Sequence, residues 1–224
     1  MDSTASSAAL TVDVVSDVVC PWCYIGKRHL EAALARLPGL RDVAVRWHPF
    51  ELNPDLPAAG VDRRAYLEAK FGGEARAAQI YERVRDAGRQ AGIGFALDAI
   101  ARQPNTRDAH RLVAWAQASG DAQDLVERLF RAYFVEGRFV GDRDVLVELA
   151  AASGYDAQAA RAWLDAGTGT AEIAEAEERV RRLGITGVPF FIFAGRVGLS
   201  GAHPPESMVA AIRQALDKPS SHAA

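Results

Sequence analysis

The feature that most restricts this chain is the placement of its two cysteines. They lie in Asp17-Val18-Val19-Cys20-Pro21-Trp22-Cys23-Tyr24-Ile25-Gly26-Lys27, between a segment with the period of a strand and one with the period of a helix. Leu10, Val12 and Val14 alternate with Thr11 and Asp13, and Val15 adds to the apolar content, as in a strand buried on at least one face. Leu30, Leu34 and Leu37 then recur at helical spacing up to Pro38-Gly39. This predicts a helix over Cys23 to Leu37 with Lys27, Arg28 and Glu31 on its solvated face. A sulfur at the N-terminus of such a helix meets unpaired backbone N–H groups and the positive end of the peptide dipoles, and both favour thiolate over thiol. Thiols so placed have pKa values of roughly 3.5–7.5 instead of about 8.5. Cys20 is therefore read as the reactive thiol and Cys23, a turn further in, as its resolving partner. Pro21 suits the first helical turn, where its missing N–H is no loss, and Trp22 is expected to project outward beside the sulfur.

Two cysteines three apart also read as half of a zinc site, with His29 near enough to be a third ligand. A structural zinc site takes four ligands, usually with a second Cys/His pair at similar spacing, and the sequence has no such pair. No metal is expected. At 224 residues, 49% hydrophobic and 25% charged, the chain is an ordinary globular one, long enough for one well-buried core. Its formal charge of −3 is spread over interspersed acids and bases, so neither nucleic acid nor a membrane is an expected partner. Met1 to Ala9 carries an acid instead of basic residues and lacks an apolar stretch of signal-peptide length. No apolar run approaches the roughly 20 residues of a membrane-crossing helix. With no cysteine to spare for structural bridges, a cytoplasmic address is the expectation.

Downstream, Val43, Val45 and Trp47 alternate again before His48-Pro49-Phe50-Glu51-Leu52-Asn53-Pro54 ends the strand. A right-handed crossover makes the first two strands parallel neighbours and puts ligand chemistry at their carboxyl ends, where Cys20 lies. Between Val61 and Gly169 strand signals vanish and helical ones follow in series. These are Arg63 to Phe71, Glu74 to Ala91, a segment with Asn105 as N-cap and Asp108 as its capping-box partner, and helices capped by Asp121, Asp142 and Asp156. No fixed period recurs among them, so they do not read as a repeat array. Thr170 to Leu183 is a further helix, with Ile173, Val180 and Leu183 inward and Gly184 at its C-cap. Phe190-Phe191-Ile192-Phe193 and Arg196-Val197-Gly198-Leu199 read as a hairpin, and Pro204-Pro205-Glu206 opens a last helix. Residues 10–60 and 170–217 thus form one α/β unit and 61–169 an inserted helical subdomain. Residues 1–9 and 218–224 are tails expected to be disordered.

Four stretches, taken with this order of elements, carry a resemblance: Cys20-Pro21-Trp22-Cys23, Pro49-Phe50-Glu51-Leu52-Asn53-Pro54, Asn105-Thr106 with Ala109-His110, and Gly187-Val188-Pro189-Phe190-Phe191. Over roughly Val12 to Leu216 the chain resembles the DsbA-like thiol oxidoreductases, more narrowly the FrnE-like group related to 2-hydroxychromene-2-carboxylate isomerases. The resemblance implies an α/β, thioredoxin-like fold, a mixed sheet built βαβ then ββα, with a large all-helical insertion. It implies that Pro189 is a cis-proline lying against the cysteine pair, which makes Cys20, Cys23 and Pro189 the catalytic residues. It also implies that the backbone of Val188 pairs with an extended substrate. From the residues alone, Pro189 is a proline tolerated at the start of a strand. Trp22 and His203 complete the expected substrate-binding set, His203 because free N–H groups of the following helix can receive the anionic end of a peptide or of glutathione. His48 and His110 read as structural, and Asp17 as a polar residue at a strand end.

The activity implied is dithiol-disulfide exchange with protein substrates or small thiols. The protein is then a monomer or homodimer with no tightly bound cofactor, and glutathione is a candidate co-substrate. A glutathione-dependent isomerase or transferase is the alternative carried by the isomerase branch, whose members tend to lack the intact pair. A holdase-like binding protein with an apolar groove around Trp22, Val188 and Phe190 is a third reading.

Overall fold

The computed structural model describes residues 10–217, so both expected tails lie outside it. Strand β1 (Leu10–Ser16) runs into helix α1 (Pro21–Ala35), which returns to β2 (Val43–Pro49). The chain then leaves the sheet through β3 (Val61–Asp62), α2 (Arg63–Phe71) and α3 (Glu74–Gln90), a 3-10 turn at Leu97–Ala99, and β4 (Arg102–Gln103). Four more helices follow: α4 (Arg107–Ser119), α5 (Gln123–Phe134), α6 (Arg143–Ala152) and α7 (Ala157–Asp165). Helix α8 (Thr170–Arg182) leads back to the sheet, which is completed by β5 (Phe190–Phe193) and β6 (Val197–Ser200) before α9 (Pro205–Asp217).

The four-stranded sheet has the order β2-β1-β5-β6. β1 and β2 are parallel, with Leu10 opposite Val43 and Val15 opposite His48; β5 lies antiparallel to β1, and β6 antiparallel to β5. β1 is thus an interior strand, and both of its faces are covered. Leu10, Val12 and Val14 pack in one cluster with Phe191, Phe193, Met208 and Ile212, while Val15 turns to Phe50, Val180 and Ile185 on the other side. Burial on both faces is what puts two valines in succession at the end of a strand that otherwise alternates. Four strands with helices on both faces form a thioredoxin-like α/β fold, and the long helical excursion is inserted between β2 and β5.

One apolar cluster runs through the sheet and the excursion together, taking in Val12 and Phe191 as well as Leu125, Phe130, Leu146 and Leu164. The link is aromatic. Tyr24 of α1 stacks on Phe130 of α5, with ring centroids 5.0 Å apart and planes 8° from parallel. Such a pair adds roughly 0.5–1.5 kcal/mol beyond the area it buries.

Several local expectations are corrected. α1 begins at Pro21, two residues earlier than its apolar spacing indicates, because Pro21 occupies the first turn and Cys20 is the N-cap. Lys27 is not solvated. It is only 4% exposed and ion-pairs with Glu31 on its own helix and, at 2.7 Å, with Glu127 of α5. The excursion is not strand-free, since Val61 and Asp62 pair with Gln103 and Arg102 in a short ribbon. Two residues are too few to show a period of two. α4 is capped at Thr106, not Asn105. The Asn105 side chain accepts from the Arg107 N–H at 3.0 Å and donates to the carbonyls of Pro54 and Leu56, tying the loop after β2 to the helix start. Asp108 pairs with Arg111 and Arg143 instead of closing a capping box. Asp142 and Asp156 are N-caps, whereas Asp121 precedes the N-cap Ala122 of α5. Leu183 is 71% exposed, because α8 ends at Arg182 and Leu183 is already the C-cap.

Candidate active site

Cys20 ends the loop after β1 in an extended conformation (φ −94°, ψ 112°) and its carbonyl accepts from the Cys23 N–H at 3.0 Å, starting the helix. Both cysteines are free thiols and both are buried. Their protons are not held equally. The hydrogen bond from Cys23 draws the Cys20 thiol below its ordinary value, against the opposing effect of burial, and the backbone N–H groups of Cys23 and Trp22 act in the same direction. Burial pushes the Cys23 thiol well up, and its hydrogen bond with Cys20 and the charge there push it further, opposed by a hydrogen bond with Ser16. Of the two sulfurs, Cys20, at the positive end of α1, is thus the one whose thiolate is favoured.

The other side of the sulfur is formed by the approach to β5. The Val188–Pro189 peptide bond is cis, and the Val188 carbonyl lies 3.8 Å from Cys20 Sγ, within reach of the protonated thiol. Pro189 also fixes the residue type on the facing helix: a Cβ on Gly26 would come within 3.2 Å of Pro189 and 3.0 Å of Phe191. Glycine there lets α1 lie close against the strand that carries the proline.

Beside Cys20 opens a cavity of about 230 Å³, lined by Trp22, Leu52, Asn53, Tyr66, Lys70 and others. Trp22 is 40% exposed at its edge. Its polar wall is a chain of hydrogen bonds: Lys70 Nζ donates to the Tyr66 hydroxyl at 2.8 Å, which donates to Asn53 Oδ1 at 2.6 Å. The sequence reading missed Tyr66 and Lys70. They stand four apart on α2, hence on one helix face, but α2 buries little beyond Arg63, so its apolar pattern does not reveal which face looks at the sulfur. Asn53 stands in the Pro49–Pro54 loop, where its residue type alone gives no sign of a place in the site.

The structure thus brings Cys20, Cys23, Trp22, Val188 and Pro189 together. His203 stands exposed ahead of α9, with its carbonyl accepting from His29 Nδ1 at 2.9 Å, and it does not line the cavity beside Cys20. Asp17 is buried. One oxygen accepts from the Leu52 N–H at 2.8 Å, and the other lies 3.4 Å from both the Val19 nitrogen and His110 Nε2, so it fastens the cysteine loop to the segment after β2. His48 donates to Asp13 at 2.8 Å across the β1–β2 pair.

Residues 11–213 match the DSBA-like thioredoxin domain family. The chain belongs to that family. This DsbA-like protein is similar to a probable DsbA oxidoreductase from Streptomyces coelicolor, at 32% identity and a TM-score of 0.87 over 96% of this chain and 93% of the other. It is 27% identical to the uncharacterized Bacillus subtilis protein YwbO, over 83% of this chain and 88% of that one. It shares its fold with the cytosolic disulfide reductase DsbM from Pseudomonas aeruginosa, whose structure is also known with GSH. There the identity is 21% and the TM-score 0.61, over 92% of this chain and 95% of DsbM. The family and the Streptomyces coelicolor structure together support an oxidoreductase role in the general sense. Among the described residues, no helix of the DsbA-like chain is long and apolar enough to cross a membrane.

Proposed function

We propose that this DsbA-like protein exchanges disulfides through the Cys20-Pro21-Trp22-Cys23 pair. The observation that carries the reading is the position of Cys20 as N-cap of α1, between the Val188 carbonyl and an open cavity, with Cys23 one turn deeper. In the oxidising direction a substrate thiolate attacks Cys20 Sγ of the disulfide, the Cys20–Cys23 bond breaks, and Cys23 leaves as a thiolate and takes up a proton. A second substrate thiolate then attacks the substrate sulfur of the mixed disulfide and releases Cys20 as a thiolate. In reduction the Cys20 thiolate attacks a substrate disulfide and Cys23 resolves the product. A leaving thiol of low pKa departs faster, so the lowered Cys20 thiol suits its release from the mixed disulfide in the oxidising direction, whereas in reduction the leaving group is the substrate thiol.

Protein thiols and small thiols such as glutathione are the proposed partners. The polar wall formed by Lys70, Tyr66 and Asn53 gives a charged small thiol something to bind beside Cys20. A cytoplasmic address is proposed on the same footing as DsbM, which is cytosolic. Pro189 acts as a positioning residue for the pair, and Trp22 and Val188 as the contact surface for an extended substrate.

The test has two arms. Cys20→Ser is expected to abolish turnover, and Cys23→Ser to accumulate mixed disulfides; equal activity in both variants would sink the assignment. Equilibration in glutathione buffers, followed by Trp22 fluorescence with Trp22→Phe as the control, gives the direction. A midpoint above about −200 mV marks an oxidant or isomerase, and one near about −270 mV a reductase. The glutathione-dependent isomerase is the outcome if isomerase turnover survives Cys20→Ser.

A further inference from the structure

Among the described residues that line the cavity beside Cys20, Lys70 alone is a cation, and no Asp or Glu stands with it. The larger cavity between α2, α3 and the 3-10 turn is different in kind, because its arginines Arg64 and Arg85 pair with Glu68, Glu74 and Asp98 of the same walls. Lys27 likewise has Glu31 and Glu127. Lys70 has no such counter-charge. Among the described residues no carboxylate lies within ion-pair distance of its ammonium, which donates to the Tyr66 hydroxyl at 2.8 Å and lies over the Tyr66 ring. An ammonium has further hydrogens to donate after that bond, and Lys70 is exposed, so a ligand reaches it without displacing protein.

Much of the remaining wall is apolar, with Leu67 and Phe71 from α2 and Ile80 and Val84 from α3. At about 230 Å³ the space lies below the roughly 300–1,000 Å³ of sites for drug-sized ligands, so it takes a small molecule. A reactive sulfur, an apolar wall and one uncompensated cation are thus set around a single small space. We propose that this cavity selects small thiols that carry a carboxylate on an apolar body, and that Lys70 is the residue that determines the selection, with Tyr66 positioning its ammonium. The inference rests on the exchange reading above and adds to it the charge and shape of the thiol. The Cys20 thiolate attacks one sulfur of the ligand's symmetric disulfide, the S–S bond breaks, and the other sulfur leaves as a thiolate, so that one thiolate is consumed and one released. In the mixed disulfide that results, the ligand's chain lies along the apolar wall and its carboxylate accepts from Lys70 Nζ.

The probes are the symmetric disulfides of mercaptohexanoate, mercaptohexanol and aminohexanethiol, which share one chain and differ in the charge at its far end. The equilibrium constant for mixed-disulfide formation on Cys20 is read by mass spectrometry in the Cys23→Ser chain. An exposed ion pair changes such a constant by up to about fivefold. The carboxylate is expected to exceed the alcohol by about threefold to fivefold and the amine to fall below it, an order that is flattened in Lys70→Met and kept in Lys70→Arg. Arg64→Met removes a charge from the same helix outside this cavity and is expected to keep the order. Equal constants for the three end groups, an order undiminished in Lys70→Met, or one lost equally in Arg64→Met would each overturn the assignment while leaving exchange at Cys20 in place. No mixed disulfide with any of the three would overturn the exchange reading together with it. Blocked Cys-Glu and Cys-Gln dipeptides are expected to differ less than mercaptohexanoate and mercaptohexanol do; a larger difference would assign the carboxylate to a protein substrate and overturn the small-thiol class.

Discussion

At Cys20 and Cys23, identical side chains are driven in opposite directions by positions three residues apart. Alkylation by iodoacetamide follows the thiolate, so its rate should rise with pH and level off above the pKa of the reacting group. The lowered Cys20 thiol should show a midpoint below the value of about 8.5 of an ordinary thiol, and Cys23 should react only at higher pH. A first-reacting cysteine with a midpoint at or above the ordinary value contradicts the asymmetry. The same contrast between like residues holds for Lys70 and Lys27. Lys27 is anchored by Glu127, whose carboxyl burial would push up but which Lys27, Tyr24 and Arg28 together bring below its ordinary value. That carboxylate therefore adds stability above its unfolded pKa, and the contribution is lost as pH falls through the folded one.

At the level of elements, α1 and the approach to β5 meet at Gly26, where the missing Cβ decides the spacing. Gly26→Ala gains up to about 1 kcal/mol of helix propensity but overpacks Pro189 and Phe191, at a cost of about 1–3 kcal/mol. A net loss of about 1 kcal/mol in denaturant unfolding is expected. Disulfide exchange should slow by about tenfold, because Pro189 is moved relative to the sulfur; unchanged exchange in a folded variant would remove Pro189 from its positioning role. The elements were largely legible in the sequence because their periods are long enough to show. Strand β1, helix α1 and the closing hairpin each display several repeats of their pattern, and the cysteine motif marks the junction. What was not legible depends on partners far along the chain. Nothing near Lys27 announces Glu127, a hundred residues on. Nothing near Asn105 shows that its side chain bridges to Pro54 and Leu56 and leaves the cap to Thr106. Tyr66 and Lys70 face the sulfur only because the excursion folds back over it.

Across the whole molecule, the inserted helices and the sheet draw on one core. Thermal unfolding followed by near-UV and far-UV circular dichroism should therefore give coincident, single transitions. Separate midpoints would show that residues 61–169 hold together by themselves. One contact through which the two parts join is Tyr24, the residue after Cys23. Its ring stacks on Phe130 and its hydroxyl, pushed up to about 12 by burial and then by Glu127, stays protonated and donates to Glu127 at 2.8 Å. The thiol-bearing helix is thus splinted from its far side by α5. Held against Pro189 and Phe191 at Gly26 on one side and against α5 at Tyr24 on the other, the turn that carries both sulfurs is clamped between the sheet and the inserted helices.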